Sequence, residues 1–92
     1  MNRPTTHHME RLLREHFPDA RIEIVDESHL HAGHAGARAH GGGHYRLAIT
    51  SKAFAGLSRV QRHQRVYQAL KPLMREAIHA LSITAHAPGH ED

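Results

Sequence analysis

The chain has 92 residues, a formal net charge of +3 and no cysteine, which excludes a disulfide framework, a thiolate nucleophile and a cysteine-based zinc finger. It has two tyrosines, two phenylalanines and no tryptophan, too few aromatic rings for a sheet that stacks many bases. Its twelve histidines stand out, because neutral imidazole is the commonest metal ligand. No apolar run approaches the roughly 20 residues that span a bilayer, so we expect one small cytoplasmic domain without membrane contact.

The N-terminal part is predicted to form a helix followed by a strand. Residues 1–5 carry no apolar pattern and are predicted to be a flexible tail. The next apolar residues have the spacing of one helix stripe: Met9, Leu12, Leu13 and Phe17. Pro18 cannot continue that helix. Ile22 and Ile24 then alternate with charged residues, which predicts a strand over 20–25.

A segment rich in glycine and histidine follows, over residues 28–43. It contains five glycines and four histidines and has little to bury except Leu30. Loops of this length inside a small domain are usually functional or disordered. We expect it to be the most mobile internal segment of the protein.

The rest of the chain predicts a strand, a turn, a long helix and a last strand. Alternation over 44–50 indicates the second strand, and 51–57 is predicted to form one helical turn that ends at Gly56. Ser58 and Gln61 have the spacing of a capping box. The apolar side of the helix that follows is predicted to carry Val60, His63, Val66, Tyr67, Leu70, Leu73 and Met74.

Pro72 predicts a kink or an end of this helix near residues 71–76. A strand is predicted over 79–84, with His79 on the same side as Leu81 and Ile83 and hence at the core edge of the sheet. Residues 87–92 are predicted to be a second flexible tail, which leaves a folded domain over 6–86. The order of elements indicates an α+β, αββααβ two-layer domain, with one mixed three-stranded sheet and the helices on one face.

Enzymatic activity is not expected. The chain has neither a phosphate-binding G-x-x-x-x-G-K-[ST] loop nor a G-x-S-x-G nucleophile turn. The glycines at 41–43 precede a strand rather than a helix, so they lack the helix N-terminus that would hold a phosphate. We expect neither catalysis nor a small-molecule substrate.

Two groups of residues are candidates for binding. The loop histidines have the spacing H-x-H-x-x-H, so two imidazoles could converge on one ion; the alternative is a solvated loop. His79, held by a strand, would complete such a pair or would be an ordinary half-buried histidine. The helix after Gly56 begins with a basic cluster that could bind phosphate or an acidic partner, and the alternative is a solvated helix face: Arg59, Arg62, His63 and Arg65.

Three blocks of the sequence resemble the signature blocks of the BolA family. They are VDESHLHAGH at 25–34, FAGLSRVQRH at 54–63 and IHALSI at 78–83, in the order of the family and within a resemblance that covers roughly residues 9–87. The resemblance implies the αββααβ fold, akin to class II KH domains. No clear G-x-x-G RNA clamp occurs near 51–58, so RNA binding is not expected.

The same resemblance implies a function and a ligand set. BolA-like proteins are partners of monothiol glutaredoxins in the assembly or trafficking of [2Fe–2S] clusters, and bacterial members are also described as DNA-binding transcriptional regulators. His79 matches the family histidine that ligates the shared cluster, and the second ligand comes from the 28–43 loop, where His31 and then His34 are favoured. A glutaredoxin cysteine and a glutathione thiol would supply the other ligands. The isolated chain is not expected to hold the cluster tightly.

Overall fold

The computed structural model describes residues 4–28, 43–75 and 77–89. Along the chain, helix α1 (Pro4–His16) leads to strand β1 (Arg21–Asp26), and strand β2 (His44–Thr50) leads to a short 3-10 turn at Lys52–Phe54. Helix α2 (Arg59–Ala69), the short helix α3 (Lys71–Met74) and strand β3 (Ala80–His86) complete the fold. The predicted α+β class and the mixed three-stranded sheet are confirmed.

The sheet has the order β1-β2-β3, and β2 is its central strand. β1 runs antiparallel to β2, with Asp26 opposite Tyr45. β3 runs parallel to β2, with His44 opposite Ala80 at one end and Thr50 opposite His86 at the other. A parallel pair requires a crossover, which α2 and α3 supply. The crossover places the start of β3 beside the start of β2, although the two lie far apart in sequence.

One face of the sheet carries the hydrophobic core and the helices pack on that face. Alternate residues of β2 are buried there, and they form one cluster with the apolar stripes of α1 and α2. The buried members of that cluster include Met9, Leu13, Phe17, Tyr45, Leu47, Ile49, Phe54, Val66, Ala69 and Leu70. Full burial of one such aliphatic or aromatic side chain contributes about 1.5–3 kcal/mol. On the opposite face of β2, Arg46 is exposed. The structure is therefore the predicted two-layer arrangement.

Several element boundaries differ from the predictions by a few residues. α1 begins at Pro4, inside the segment predicted to be a tail, and β1 extends to Asp26. Ala87, predicted to belong to the C-terminal tail, is 7% exposed and packs in the core cluster. β3 covers Ala80–His86 rather than 79–84, so His79 precedes the strand.

α2 begins with the predicted capping box and ends before the proline. The Ser58 side chain accepts from the Gln61 N–H at 3.1 Å, and the Gln61 side chain accepts from the Ser58 N–H at 2.9 Å. The helix stops at Ala69, and α3 starts at Lys71 with Pro72 in its first turn, so the break lies at Leu70, just before the predicted range of 71–76.

The predicted apolar side of α2 is wrong at two positions. Val60 is 65% exposed and Tyr67 is 41% exposed, whereas Val66, Ala69 and Leu70 are buried. α2 packs against both β3 and α1, and the side of the helix that faces both neighbours is the one centred on Val66 and Ala69. Among the described residues, no helix is long and apolar enough to cross a membrane.

Candidate metal and partner-binding sites

His79 lies in a bend at the end of the sheet, immediately before β3. Its N–H donates to the Gly43 carbonyl at 2.7 Å, and the Ala80 N–H donates to the same carbonyl at 3.0 Å. The side chain is exposed, so the prediction that its ring lies at the core edge of the sheet is wrong. Because two successive N–H groups share one acceptor, the chain bends here and the in-and-out alternation of the strand starts only at Ala80.

His44, the first residue of β2, lies next to His79. The two imidazole centroids are 5.1 Å apart and the rings are tilted by 57°. The sequence analysis placed His44 on a strand but did not select it as a binding residue. The signal that identifies it is the parallel register, in which His44 lies opposite Ala80. That register follows from the strand order rather than from any local spacing.

The two ends of the glycine- and histidine-rich segment are held together by Ser28. Its hydroxyl oxygen accepts from the N–H of Gly43 at 2.8 Å and from the N–H of His44 at 3.2 Å. The Ser28 N–H donates to the Asp26 carboxylate at 2.9 Å. The segment between Ser28 and Gly43 therefore begins and ends close to His44 and His79.

His31 and His34, the predicted loop ligands, lie outside the described residues. Within the part of the chain that the structure describes, no group of three or more histidine, aspartate or glutamate side chains could hold a metal ion. Of the two neighbouring imidazoles, His79 is exposed and His44 is half-buried. Two imidazoles fit one half of a four-ligand centre, and the chain has no thiol of its own to add.

The predicted basic cluster on α2 is divided in the structure. Arg59 and Arg65 are exposed, whereas Arg62 is half-buried and its Nη1 donates to the Leu57 carbonyl at 3.0 Å. The Nε of Arg62 is buried and makes no hydrogen bond to the described residues. One nitrogen of Arg62 thus stabilises the turn before α2.

A cleft of about 180 Å³ between α2 and β3 gathers three of the four predicted residues. Arg59, Arg62 and His63 line it together with the end of β3, and Arg65 is not among the lining residues. Burial, and then the positive charges of Arg59 and Arg62, lower the pKa of His63. Protonation of His63 is therefore disfavoured in the folded protein, and Arg59 and Arg62 bring positive charge to this cleft.

The comparisons with known proteins agree on one family. The profile of the family described as "BolA-like protein" matches residues 13–90 of the chain. The fold, the sheet order and this match define the class, and the chain belongs to the BolA-like family.

Individual relatives match along most of the chain. An uncharacterized protein in the cobS 5' region of a Sinorhizobium species is 44% identical over 85 residues, which are 91% of each protein. The protein called DNA-binding transcriptional regulator BolA in Haemophilus influenzae is 34% identical, over 87% of this chain and 74% of its own length. The solved structure of BolA1 from Arabidopsis thaliana superimposes with a TM-score of 0.79 at 33% identity, and 94% of each chain is covered.

Proposed function

We propose that this BolA-like protein is a non-enzymatic cytoplasmic partner of a monothiol glutaredoxin and shares a [2Fe–2S] cluster with it. The observation that supports the proposal is the exposed imidazole of His79, whose main chain is anchored by hydrogen bonds to Gly43. His79 matches the cluster-ligating histidine of the family, and a histidine of the 28–43 segment, His31 or His34, is the second ligand.

The ligand chemistry supports a shared cluster rather than one held by this chain alone. Iron–sulfur clusters need four ligands, and imidazole can replace thiolate at one iron. Two imidazoles from this chain leave the other iron to the glutaredoxin cysteine and the thiol of glutathione. Histidine ligation at one iron supplies a higher reduction potential than ligation by cysteine alone.

The decisive experiment titrates this protein into a cluster-loaded monothiol glutaredoxin and records visible absorption and circular dichroism. We expect a changed spectrum with the unmodified protein and no change with His79→Ala. His86→Ala is the matched control, because His86 lies at the far end of β3, the strand that His79 precedes. His31→Ala and His34→Ala should each weaken the change, and the double variant should abolish it. A folded His79→Ala protein that still changes the spectrum would show that His79 is not a ligand.

A second function, that of a DNA-binding transcriptional regulator, is favoured by the Arg59 and Arg62 side chains in the cleft and by the name of the Haemophilus relative. A phosphate contact makes affinity fall with salt, with a slope of about −0.9 for each phosphate neutralised. Arg59→Gln should therefore lower the affinity for duplex DNA. The slope of log affinity against log salt should become shallower by about 0.9, the value for one phosphate contact. Arg11→Gln, an exposed arginine on α1, is the control. No binding even at low salt would remove this function.

A further inference from the structure

Strand β3 lies at one edge of the sheet, and among the described residues only β2 pairs with it. At one end of the pair, the Ala80 N–H donates to the Gly43 carbonyl at 3.0 Å. At the other end, the His86 carbonyl accepts from the Ser51 N–H at 3.0 Å. In a parallel pair the N–H and C=O groups of one residue point to the same side, and that side alternates along the strand. The even-numbered residues of β3 therefore direct both groups to β2.

The odd-numbered residues of β3 direct their N–H and C=O groups to the outer edge. These residues are Leu81, Ile83 and Ala85, and no main-chain group of the described residues hydrogen-bonds to them on that side. Ala85 is 2% exposed, whereas Leu81 and Ile83 are half-buried, so the accessible part of the edge lies at these two residues. Each of them presents one donor and one acceptor to a strand that approaches from the side.

The two edges of the sheet differ in their protection against such an approach. Natural proteins protect edge strands with charged side chains, proline or a bulge. β1 carries charged residues along its length, at Arg21, Glu23 and Asp26. β3 has the sequence ALSITAH, without aspartate, glutamate, lysine, arginine or proline, and its pairing with β2 is uninterrupted. The edge of β3 is therefore the better template for a further strand.

The cleft of about 180 Å³ between α2 and β3 runs along this edge. It is lined by four consecutive residues of β3, 83–86, and by Arg59, Arg62 and His63 of α2. Successive side chains of a strand point to opposite faces, so a cleft that contacts four consecutive residues follows the main chain. Because β2 occupies the inner side of β3, the cleft lies beside the outward N–H and C=O groups of Ile83.

The wall that α2 forms gives this cleft a positive charge. Arg59 is exposed and Arg62 is half-buried, and neither forms an ion pair with a carboxylate of the described residues. The first turn of α2 contains no acidic residue. An extended segment along β3 places every second side chain on the face of the sheet that α2 covers. Carboxylates at those positions are the complement of the two arginines.

We propose that the edge of β3 binds an extended acidic segment of a partner protein, which adds to the sheet as a further strand. Main-chain hydrogen bonds to Leu81 and Ile83 hold the segment, and Arg59 and Arg62 select alternating carboxylates. The outward C=O groups favour a strand over a nucleic acid, because phosphates contact the arginines but supply no donor to a carbonyl. The site goes beyond the proposed cluster sharing, since it needs neither a metal nor His79.

The test titrates a blocked peptide of alternating threonine and glutamate, Ac-TETETET-NH2, into the full-length protein and follows amide exchange by NMR. In the free protein we expect fast exchange at Leu81 and Ile83 and slow exchange at Ser82 and Thr84, whose N–H groups bond to β2. The peptide should slow exchange at Leu81 and Ile83. A peptide in which lysine replaces glutamate should not bind.

N-methylation of the peptide separates strand addition from charge attraction. A methyl group removes one N–H donor and blocks that edge of the peptide, and only one of the two peptide edges faces β3. One peptide is methylated at every glutamate and the other at every threonine, and both keep their charge. One of the two should bind like the parent peptide, and the other should lose affinity by about tenfold or more.

Arg59→Gln tests the selection of carboxylates. This variant should bind the glutamate peptide about two- to fivefold more weakly, as expected for an exposed ion pair. Arg11→Gln, on α1, is the control and should bind as the parent protein does. An unchanged affinity of Arg59→Gln would contradict the role of the arginine.

Two results would overturn the strand addition itself. Equal affinities of the two N-methylated peptides would leave the arginines as a site for any anion, nucleic acid included. Slow exchange at Leu81 and Ile83 in the free protein would mean that the edge is already covered. Both results are independent of the glutaredoxin titration, because the peptide experiment involves neither the cluster nor His79.

Discussion

At the start of β2 the main chain passes so close to the bend at His79 that position 43 has no room for a side chain. Gly43 has a φ of +89°, and a Cβ there would lie 2.8 Å from the Ala77 carbonyl oxygen and 3.1 Å from the His79 nitrogen. Both the backbone angle and the close approach require glycine. The position of the exposed His79 relative to the half-buried His44 depends on this residue, which precedes His44 in sequence.

Replacing Gly43 by alanine should both destabilise the protein and move His79. A non-glycine residue in this backbone region costs about 1–3 kcal/mol, and the contact with the Ala77 oxygen adds to that. The matched control is Gly56→Ala, because Gly56 has a similar φ of +77° but no atom within 4 Å of the added Cβ. Urea unfolding should show a larger loss for Gly43→Ala.

The same two variants also distinguish, by NMR, the effect of the strained backbone angle from the effect of the close contact at position 43. Gly43→Ala should shift the imidazole resonances of His44 and His79, and Gly56→Ala should leave them in place. Equal losses of stability and unchanged imidazole shifts in both variants would mean that the close approach at Gly43 does not position His79.

At the scale of the elements, the local patterns predicted most of the fold. The alternation of Ile22 and Ile24, the Ser58 capping box and the break at Pro72 each depend on neighbours in sequence, and each appears in the structure. These local patterns could not predict which side of α2 faces the core. Val60 and Tyr67 fit an apolar stripe as well as the buried residues do, and only the positions of α1 and β3 decide between the two sides.

A link between elements holds the turn after α1 to the turn after β2. One Asp19 carboxylate oxygen accepts from the Ser51 hydroxyl at 2.7 Å and the other accepts from the Lys52 N–H at 2.9 Å. Ser51 is fully buried and also caps the 3-10 turn. The Lys52 N–H, and then the Ser51 hydroxyl, lower the pKa of Asp19 below its ordinary range.

Protonation of Asp19 should therefore lower the stability of the folded protein as the pH falls. Because its pKa is lower in the folded protein, the unfolded chain takes up the proton first, and the stabilisation present near neutral pH is lost as the pH falls through the folded pKa. Asp19→Asn should be less stable than the parent protein at pH 7, and the difference should shrink between about pH 5 and pH 3. Glu15→Gln, which removes an exposed charge on α1, is the control. A constant difference across that range would contradict the role of the carboxylate.

At the scale of the whole molecule, the neighbouring histidines His44 and His79 could be predicted from the sequence only in part. His79 was predicted to begin the last strand, but it precedes β3, and the bend that exposes it depends on the Gly43 carbonyl. His44 was missed because its proximity to His79 depends on β3 lying parallel to β2. Local spacing favours histidines that are neighbours in sequence, as in the 28–43 segment, and carries no information about two strands that meet through a crossover.

The response of the whole molecule to pH should depend in part on one histidine in the cleft between α2 and β3. Burial and the charges of Arg59 and Arg62 lower the pKa of His63, so the folded protein resists its protonation. An unfolded chain protonates histidine near pH 6.5. Below about that pH the unfolded state binds more protons at this position, and stability decreases until the folded histidine is protonated as well.

His63→Gln should reduce this loss of stability, because glutamine does not titrate. Urea unfolding at about pH 7.5 and about pH 5.5 should give a smaller drop in midpoint for His63→Gln than for the parent protein. His8→Gln, an exposed histidine on α1, is the matched control among the twelve histidines of the chain. If His8→Gln and His63→Gln reduce the drop equally, the loss of stability comes from the positive charge that the whole chain gains on acidification and not from His63 in particular. A specific effect of His63→Gln would show that burial, together with the charges of Arg59 and Arg62, disfavours protonation of this imidazole in the folded protein.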